Sequence, residues 1–230
     1  MIQGQIKYVT LRGYNLRQLS ELSSADSILF DLDGTLWDAS LSATKAWNRT
    51  LETIGYTNSV ITQNELKDFT GIKIEEILKS HYGFMSNDEK GIFLDAFEHF
   101  EDQEIKSNGG LLYSNVELVL KELMKSKKLY IVSNCLKGYI EIFLEFTKLE
   151  KYFDAYESSG NTGMAKDCNI KKIIEDHKLE HPIFVGDTEH DHEACILNDI
   201  PFIYASYGFG KAKKAEYCIK EFKDLLELQS

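Results

Sequence analysis

Four short apolar runs limit the fold most strongly, because each has the length of a buried strand. They are "SILFDLD" at 27–33, "KLYIVSN" at 128–134, "PIFVGD" at 182–187 and "PFIYAS" at 201–206. Weaker strand signals occur at 154–159 and 216–219, and segments with helical spacing of apolar residues at 115–127, 136–149 and 169–179. Strands that alternate with helices predict parallel strands joined by right-handed crossovers. The sequence therefore predicts an α/β fold with a doubly wound parallel sheet.

The segment between the first two strands differs from the rest, since residues 39–110 carry only helical signals. About seventy residues exceed one crossover, so we expect an inserted helical domain over the mouth of the sheet. Gly109 and Gly110 mark a flexible point of return. The predicted division is a core of residues 1–38 and 111–230, with residues 1–25 as an N-terminal arm, and a helical cap domain of residues 39–110.

Composition excludes two classes of partner. The chain has 230 residues, of which 43% are hydrophobic, enough for one core and a smaller inserted domain. Its net charge of -11 repels nucleic acid and anionic membrane surfaces, so neither is expected as a partner. If the substrate is an anion, the site must supply local cations that the surface lacks.

Cysteine usage and hydropathy predict a cytoplasmic protein. Cys135, Cys168, Cys195 and Cys218 form no CxxC pair, as expected of reduced thiols. The sequence shows neither a secretory signal nor an apolar run of about 18 residues that could span a membrane. The arm at residues 1–25 is a candidate contact with a second copy of the chain, which leaves a homo-oligomer open.

Polar side chains follow three of the predicted strands. Asp31 and Asp33 end the first, Ser133 and Asn134 the second, and Asp187 the third. Ligands of open α/β sheets bind at the carboxyl ends of the strands. Carboxylates packed together repel unless a cation neutralises them, and Mg²⁺ prefers a few carboxylates with water and phosphate oxygens. The acidic cluster therefore implies a metal, for which Mg²⁺ is a suitable ion.

Four segments occur in a diagnostic order: "DLDGTLWD", "IVSN", "TGMAKD" with Lys166, and "VGDTEHD" with Asp187 and Asp191. Their order and spacing resemble the four motifs of the haloacid dehalogenase superfamily of phosphohydrolases. The resemblance extends from about residue 27 over nearly the whole remaining chain. It implies a Rossmann-like core, and the helical insertion after the first motif is similar to the first cap type of the phosphoglycolate phosphatase-like and β-phosphoglucomutase-like branch.

The resemblance implies roles for the acidic residues. Asp31 would attack phosphorus and form an aspartyl-phosphate. Asp33 would protonate the leaving alcohol and then activate the hydrolytic water. The Asp31 carboxylate, the Asp33 main-chain carbonyl and Asp187 would bind Mg²⁺, with Asp191 in support.

The resemblance also implies the residues that bind the substrate phosphate. Ser133 and Asn134 would donate hydrogen bonds from hydroxyl and backbone groups, and Lys166 would supply the positive charge. Lys171 and Lys172 are nearby, but their spacing is typical of a solvated helix face. The predicted substrate-binding residues are therefore Ser133, Asn134 and Lys166.

The expected function is a Mg²⁺-dependent phosphatase for a small phosphorylated metabolite. Asp33 favours phosphate esters, because members of the superfamily that attack carbon need no acid at that position. A phosphomutase of the β-phosphoglucomutase type, a pyrophosphatase or a nucleotidase would use the same residues and stays open. A signalling receiver needs neither Asp33 nor the insertion at 39–110, and a metal-binding protein without activity would need no complete set of motifs.

Three further features have plainer interpretations. His190, His192 and Cys195 could suggest a transition-metal site, but a helix there would point them in different directions. The spacing of Phe93, Phe97 and Phe100 predicts a packed helix face. The glycine-rich loop "ASYGFG" at 205–210 follows the last strand and is expected to border the site.

Overall fold

A computed structural model describes residues 9–11 and 14–229 of the chain. The strands in chain order are β1 (Val9–Leu11), β2 (Tyr14–Leu16), β3 (Ser27–Phe30), β4 (Trp37–Asp38), β5 (Leu111–Leu112), β6 (Lys128–Ser133), β7 (Ala155–Ser158), β8 (Pro182–Gly186), β9 (Phe202–Ala205) and β10 (Tyr217–Ile219). The α-helices are α1 (Ser40–Thr53), α2 (Gln63–Lys67), α3 (Ile74–His81), α4 (Asn87–Asn108), α5 (Val116–Leu123), α6 (Tyr139–Thr147), α7 (Ser159–Thr162), α8 (Lys166–His177) and α9 (Glu189–Leu197). Short 3-10 helices lie at Leu19–Leu22, Glu150–Tyr152 and Phe222–Gln229.

A six-stranded parallel sheet forms the centre of the molecule, in the order β10-β9-β8-β3-β6-β7. Strand β3 lies between β8 and β6, where Phe30 is in register with Val185 and Ile131. Two clusters of buried apolar side chains pack against the two faces of the sheet. The predicted α/β fold with a doubly wound parallel sheet is confirmed, because helices cover both faces of the sheet and its central strands β3 and β8 are buried throughout.

The N-terminal segment packs onto the core where the structure describes it. Leu19, Leu22 and Ala25 are buried in the larger core cluster. The Lys127 ammonium donates to the carbonyl oxygens of Ser23 and Ala25, both at 2.8 Å. Residues 1–8 and 12–13 of the predicted arm lie outside the described residues, and its contact with a second copy stays a prediction.

Helices α1 to α4 lie between β4 and β5 and form what we call the helical insertion, residues 40–108. It has a hydrophobic cluster of its own, in which the Trp47 ring lies 4.8 Å from the Phe93 ring and 5.1 Å from the Phe97 ring. The Trp47 indole N–H donates to the Tyr82 hydroxyl at 2.9 Å. Phe100 is only partly buried, and Arg49 lies 4.2 Å from its ring. The cluster allows the insertion to pack as a unit above the sheet, while the exact domain boundaries stay a prediction.

The two connections to the insertion run side by side. Strands β4 and β5 pair antiparallel, with Trp37 opposite Leu112. A Cβ atom at Gly110 would lie 2.8 Å from the Trp37 ring, so the absence of a side chain permits this close approach. The flexibility of the return point at Gly109 and Gly110 stays a prediction.

No helix among the described residues is both long and apolar enough to cross a membrane.

A tight turn follows β3 and places its two aspartates. The Leu32 carbonyl accepts from the Leu36 N–H at 2.9 Å, and the Gly34 N–H donates to the Trp37 carbonyl at 2.9 Å. Gly34 has a φ of +84°, and a Cβ atom there would overlap the Asp187 carboxylate. Gly34 is therefore required both by the backbone conformation and by the approach of β8.

The Gly34→Ala substitution should destabilise the protein more than Gly55→Ala. Gly55 has a similar φ of +91°, but no atom lies within 4 Å of a Cβ placed there. Both variants carry the left-handed strain, and overlap with Asp187 should add about 1–3 kcal/mol at Gly34 alone. Urea unfolding measures the difference. Equal losses of unfolding free energy would contradict the account of this turn.

Candidate active site

The carboxyl-terminal edge of the sheet gathers the predicted charged residues. Asp31 follows β3, Ser133 ends β6 and Asp187 follows β8. Lys166 begins α8, and Asp191 lies in the first turn of α9. All five side chains are buried. Residues that are far apart in the sequence thus meet in one place, because parallel strands end at a common edge.

Lys166 is the centre of this group. Its Nζ atom lies 2.7 Å from Asp31 Oδ1 and 2.6 Å from Asp191 Oδ1. Only 4% of the Lys166 residue is exposed. Burial disfavours the ammonium, but the carboxylates of Asp191 and Asp31 outweigh burial and raise the pKa of Lys166 above its ordinary value. Lys166 is therefore a fixed positive charge beside the predicted nucleophile.

Three carboxylates form a group that fits a divalent cation. Oxygen atoms of Asp31, Asp187 and Asp191 lie within 4.8 Å of one another. Asp187 Oδ2 accepts from the backbone N–H groups of Phe209 at 2.7 Å and Gly210 at 3.1 Å. Asp187 Oδ1 is buried and receives no hydrogen bond from any described residue. Burial, followed by the charges of Asp31 and Asp191, raises the pKa of Asp187. A bound cation would offset this repulsion between the carboxylates.

Both carboxylate oxygens of Asp191 accept hydrogen bonds, whereas only one oxygen of Asp187 does so from the described residues. Its Oδ1 accepts from Lys166, and its Oδ2 accepts from the Thr188 backbone N–H at 3.0 Å and hydroxyl at 2.7 Å. These bonds form a capping box at the start of α9. Asp191 thus holds Lys166 in place and fixes the helix that follows β8.

Asp33 lies on the turn and is only partly buried. Its Oδ1 accepts from the Tyr139 hydroxyl at 2.9 Å. Burial, followed by the charge of Asp31, raises the pKa of Asp33 to about 7. A carboxyl group with this pKa can both donate and accept a proton near neutral pH, as a general acid and base must. No sequence signal singles out Tyr139, because its contact with Asp33 depends on how α6 packs.

Asn134 connects the edge of the sheet with the helical insertion. Its side-chain amide donates to the Gly71 carbonyl at 2.9 Å, and its Oδ1 accepts from the Ser159 hydroxyl at 2.6 Å. Since the side chain is engaged in this way, the backbone is the group of Asn134 that remains for a phosphate. The sequence pointed to neither Gly71 nor Ser159.

A cavity of about 130 Å³ lies between the sheet edge and the helical insertion. Asp31, Asp33, Ser133 and Asn134 line it from the sheet. The insertion contributes mostly apolar side chains and one carboxyl group, Glu101 of α4. The predicted nucleophile and the predicted acid therefore line the same cavity.

The glycine-rich loop borders the site, whereas the histidines do not form a metal centre. Phe209 of the loop lines the cavity. His190 is exposed and faces Glu193, while the His192 ring stacks on Phe202 at 5.1 Å between centroids. The metal-ligating cluster among the described residues contains none of the histidines. These side chains point in different directions, as expected for α9.

Comparison with known proteins places this geometry in a family. Residues 28–205 match the family described as haloacid dehalogenase-like hydrolase. A phosphoglycolate phosphatase of Aquifex aeolicus is 27% identical over 213 residues, which cover 87% of this chain and 95% of that protein. The pyrophosphatase PpaX of Bacillus cereus is 23% identical over 226 residues, which cover 89% and 96%.

A solved structure shows the same fold. The protein described as a predicted phosphatase from Clostridium acetobutylicum superposes with a TM-score of 0.76 at 25% identity, covering 87% of this chain and 96% of that one. The family match spans all four motifs and most of the chain, so the resemblance found in the sequence is confirmed. The chain belongs to the haloacid dehalogenase-like hydrolase family.

Proposed function

We propose that this chain is a Mg²⁺-dependent phosphatase that hydrolyses a small phosphorylated metabolite through an aspartyl-phosphate intermediate. The observation that carries the proposal is the buried Asp31 carboxylate, which lies beside the Lys166 ammonium and the unpartnered oxygen of Asp187. Membership of the hydrolase family and the phosphatase and pyrophosphatase names of its relatives support the reaction class.

In the first step, a carboxylate oxygen of Asp31 attacks the phosphorus atom. The bond between phosphorus and the ester oxygen breaks, and protonated Asp33 gives its proton to the leaving alcohol. Lys166 and Ser133 neutralise and hydrogen-bond the phosphoryl oxygens, whose charge would otherwise repel the attacking carboxylate. The pKa of Asp33, raised to about 7, suits this proton transfer.

In the second step, water attacks the phosphorus atom of the aspartyl-phosphate. Asp33, now ionised, accepts a proton from this water. The bond between phosphorus and the Asp31 oxygen breaks, which releases inorganic phosphate. Asp31 returns as a carboxylate and Asp33 as a carboxylic acid, so the cycle closes without any other reactant.

The carboxylates of Asp31 and Asp187 and the main-chain carbonyl of Asp33 would hold Mg²⁺. Asp191 would act mainly through Lys166, since both of its oxygens already accept hydrogen bonds. Bound Mg²⁺ supplies positive charge to the phosphoryl oxygens and aligns the transferring group.

The same side chains would serve several related reactions. A phosphomutase would return the phosphoryl group to a sugar, and release of free phosphate distinguishes hydrolysis from that outcome. A pyrophosphatase or a nucleotidase would use every residue named above, so these residues do not identify the leaving group. The side chains that line the rest of the cavity are the remaining guide to it.

We also propose a cytoplasmic location. Cys135, Cys168, Cys195 and Cys218 are all unpaired. This state is typical of proteins in a reducing compartment.

Phosphate release from a panel of small phosphoesters tests the proposed reaction. Turnover should require Mg²⁺, stop with a chelator, and disappear in Asp31→Asn. Asp33→Asn should slow turnover by a factor of about 10²–10⁴, since the general acid is lost. The matched control is Asp38→Asn, because Asp38 pairs with Lys67 at 2.9 Å and does not line the cavity. Full turnover in Asp31→Asn would refute the proposal.

Stability should depend on pH and Mg²⁺ together. The pKa of Asp33 is raised from 3.8 to about 7. Its contribution to the free energy of unfolding is therefore fully present below about pH 4 and is lost as the pH rises through 7. The pKa values of Asp31 and Asp187 are raised in the same direction. Without metal, the melting temperature should therefore fall as the pH rises from about 5 to about 8.

Added Mg²⁺ should reverse this loss. The rise in melting temperature on adding Mg²⁺ should be larger at about pH 8 than at about pH 5.5, because protons compete for the carboxylates. Thermal denaturation with Mg²⁺ or a chelator measures it, and Asp187→Asn should abolish the Mg²⁺ effect. An equal rise at both pH values, or one that persists in Asp187→Asn, would contradict the proposed metal site.

A further inference from the structure

The part of the cavity formed by the helical insertion is mostly apolar and has one acidic residue, beside the uncharged hydroxyl groups of Ser40 and Thr70. Trp47, Leu66, Phe69, Ile72, Ile74 and Phe97 are among its lining residues. Glu101 projects from α4 into the same lining. The leaving alcohol would occupy this part of the cavity, because the phosphoryl group must lie at Asp31.

No lysine, arginine or histidine is among the described residues that line the cavity. Ammonium groups close to the cavity are engaged. Lys73, which lies between two lining residues in the chain, donates to the Gly163 carbonyl at 3.4 Å. Lys166 is held by Asp31 and Asp191 at the phosphate end. Lys67 pairs with Asp38 at 2.9 Å and lies 4.7 Å from the Phe209 ring. A second negative group on the substrate would therefore lose its hydration without gaining a counter-charge.

In its ionised state Glu101 would repel such a group, and in either state it offers oxygen atoms to a hydrogen-bond donor. Its carboxyl group receives no hydrogen bond from any residue whose side chain the structure describes, 17–229. Burial, followed by the charge of Asp33, raises the pKa of Glu101 to about 8. Either protonation state can accept a hydrogen bond, and the ionised state can pair with an ammonium group.

The cavity is also small. Its volume is about 130 Å³, and it is partly open to solvent. A leaving alcohol of a few heavy atoms can be contained in it, whereas a larger one would extend towards solvent.

We infer that the substrate is the phosphate monoester of a small alcohol that carries no negative charge and has a hydroxyl or ammonium group in contact with Glu101. This inference rests on the proposed phosphatase function and names the substrate class of the same site. It makes Glu101 a specificity-determining residue. It also separates this chain from the relatives named for phosphoglycolate and pyrophosphate, since both of those leaving groups are anions.

Three esters of matched size test the inference: phosphoethanolamine, 2-hydroxyethyl phosphate and phosphoglycolate, whose far ends are an ammonium, a hydroxyl and a carboxylate. The measurement is kcat/KM for phosphate release. For an ester that is not turned over, it is the competitive inhibition constant against an aryl phosphate. The ammonium and hydroxyl esters should each be preferred over phosphoglycolate by about tenfold or more. Equal or better use of phosphoglycolate would overturn the inference.

Two variants on α4 assign the preference to one residue. At about pH 9, where Glu101 is ionised, Glu101→Gln should reduce the preference for phosphoethanolamine over phosphoglycolate by about tenfold, because a negative charge is removed from the cavity. Glu98→Gln removes the same charge from an exposed position one turn earlier and should leave the preference unchanged. An unchanged preference in Glu101→Gln would overturn the assignment. Since the comparison uses a ratio of substrates, partial misfolding of a variant does not affect it.

The aryl phosphate distinguishes the two proposals. If the wild-type protein hydrolyses it with Mg²⁺ and Asp31→Asn does not, the phosphatase proposal holds, and a preference for phosphoglycolate then overturns only the substrate class. If neither the aryl phosphate nor any of the three esters releases phosphate, both the proposed function and the proposed substrate class are refuted.

Discussion

The buried ammonium of Lys166 between Asp31 and Asp191 is the interaction on which the rest of the site depends. Carboxylates from the ends of different strands repel one another when they are brought together away from water. Lys166 offsets part of this repulsion, and Asp191 holds Lys166 where α9 begins. The remaining excess of negative charge is what a divalent cation would neutralise. Positive charge at this edge of the sheet would thus both stabilise the folded protein and neutralise a bound phosphate.

Close approach of backbones explains much of the remaining architecture. The turn at Gly34 allows β3 to present two aspartates beside Asp187, and the N–H groups of Phe209 and Gly210 hold one oxygen of Asp187. The other Asp187 oxygen receives no hydrogen bond from the described residues. A Cβ atom at Gly34 would overlap the Asp187 carboxylate, so glycine is as necessary at this position as the acids are.

Much of this arrangement could be predicted from the sequence. The strand that ends at Phe30 and the strand that ends at Gly186 are apolar runs followed by acids, and parallel pairing forces those acids to one edge. The order of the four motifs added Lys166, which no local pattern distinguishes from the lysines of a solvated helix face. Local periodicity also indicated the helices of the insertion.

Other parts could not be predicted, because they depend on contacts between distant segments. Tyr139 reaches Asp33 through the packing of α6, and Gly71 meets Asn134 only when the insertion lies over the sheet. Glu101 is one of many acids on an ordinary amphipathic helix, and only the folded chain shows that it lines the cavity. The residues proposed to perform the chemistry could therefore be identified in the sequence, while the residue proposed to select the leaving group is identified only in three dimensions.

The most direct test of the central claim is the stereochemistry at phosphorus. A phosphorothioate ester made chiral at phosphorus with two oxygen isotopes would be hydrolysed with Mg²⁺ in water of the third oxygen isotope, and the configuration of the thiophosphate product determined. Attack by Asp31 followed by attack of the second nucleophile inverts phosphorus twice, so the account predicts net retention. Net inversion would show a single direct displacement and would contradict the aspartyl-phosphate intermediate.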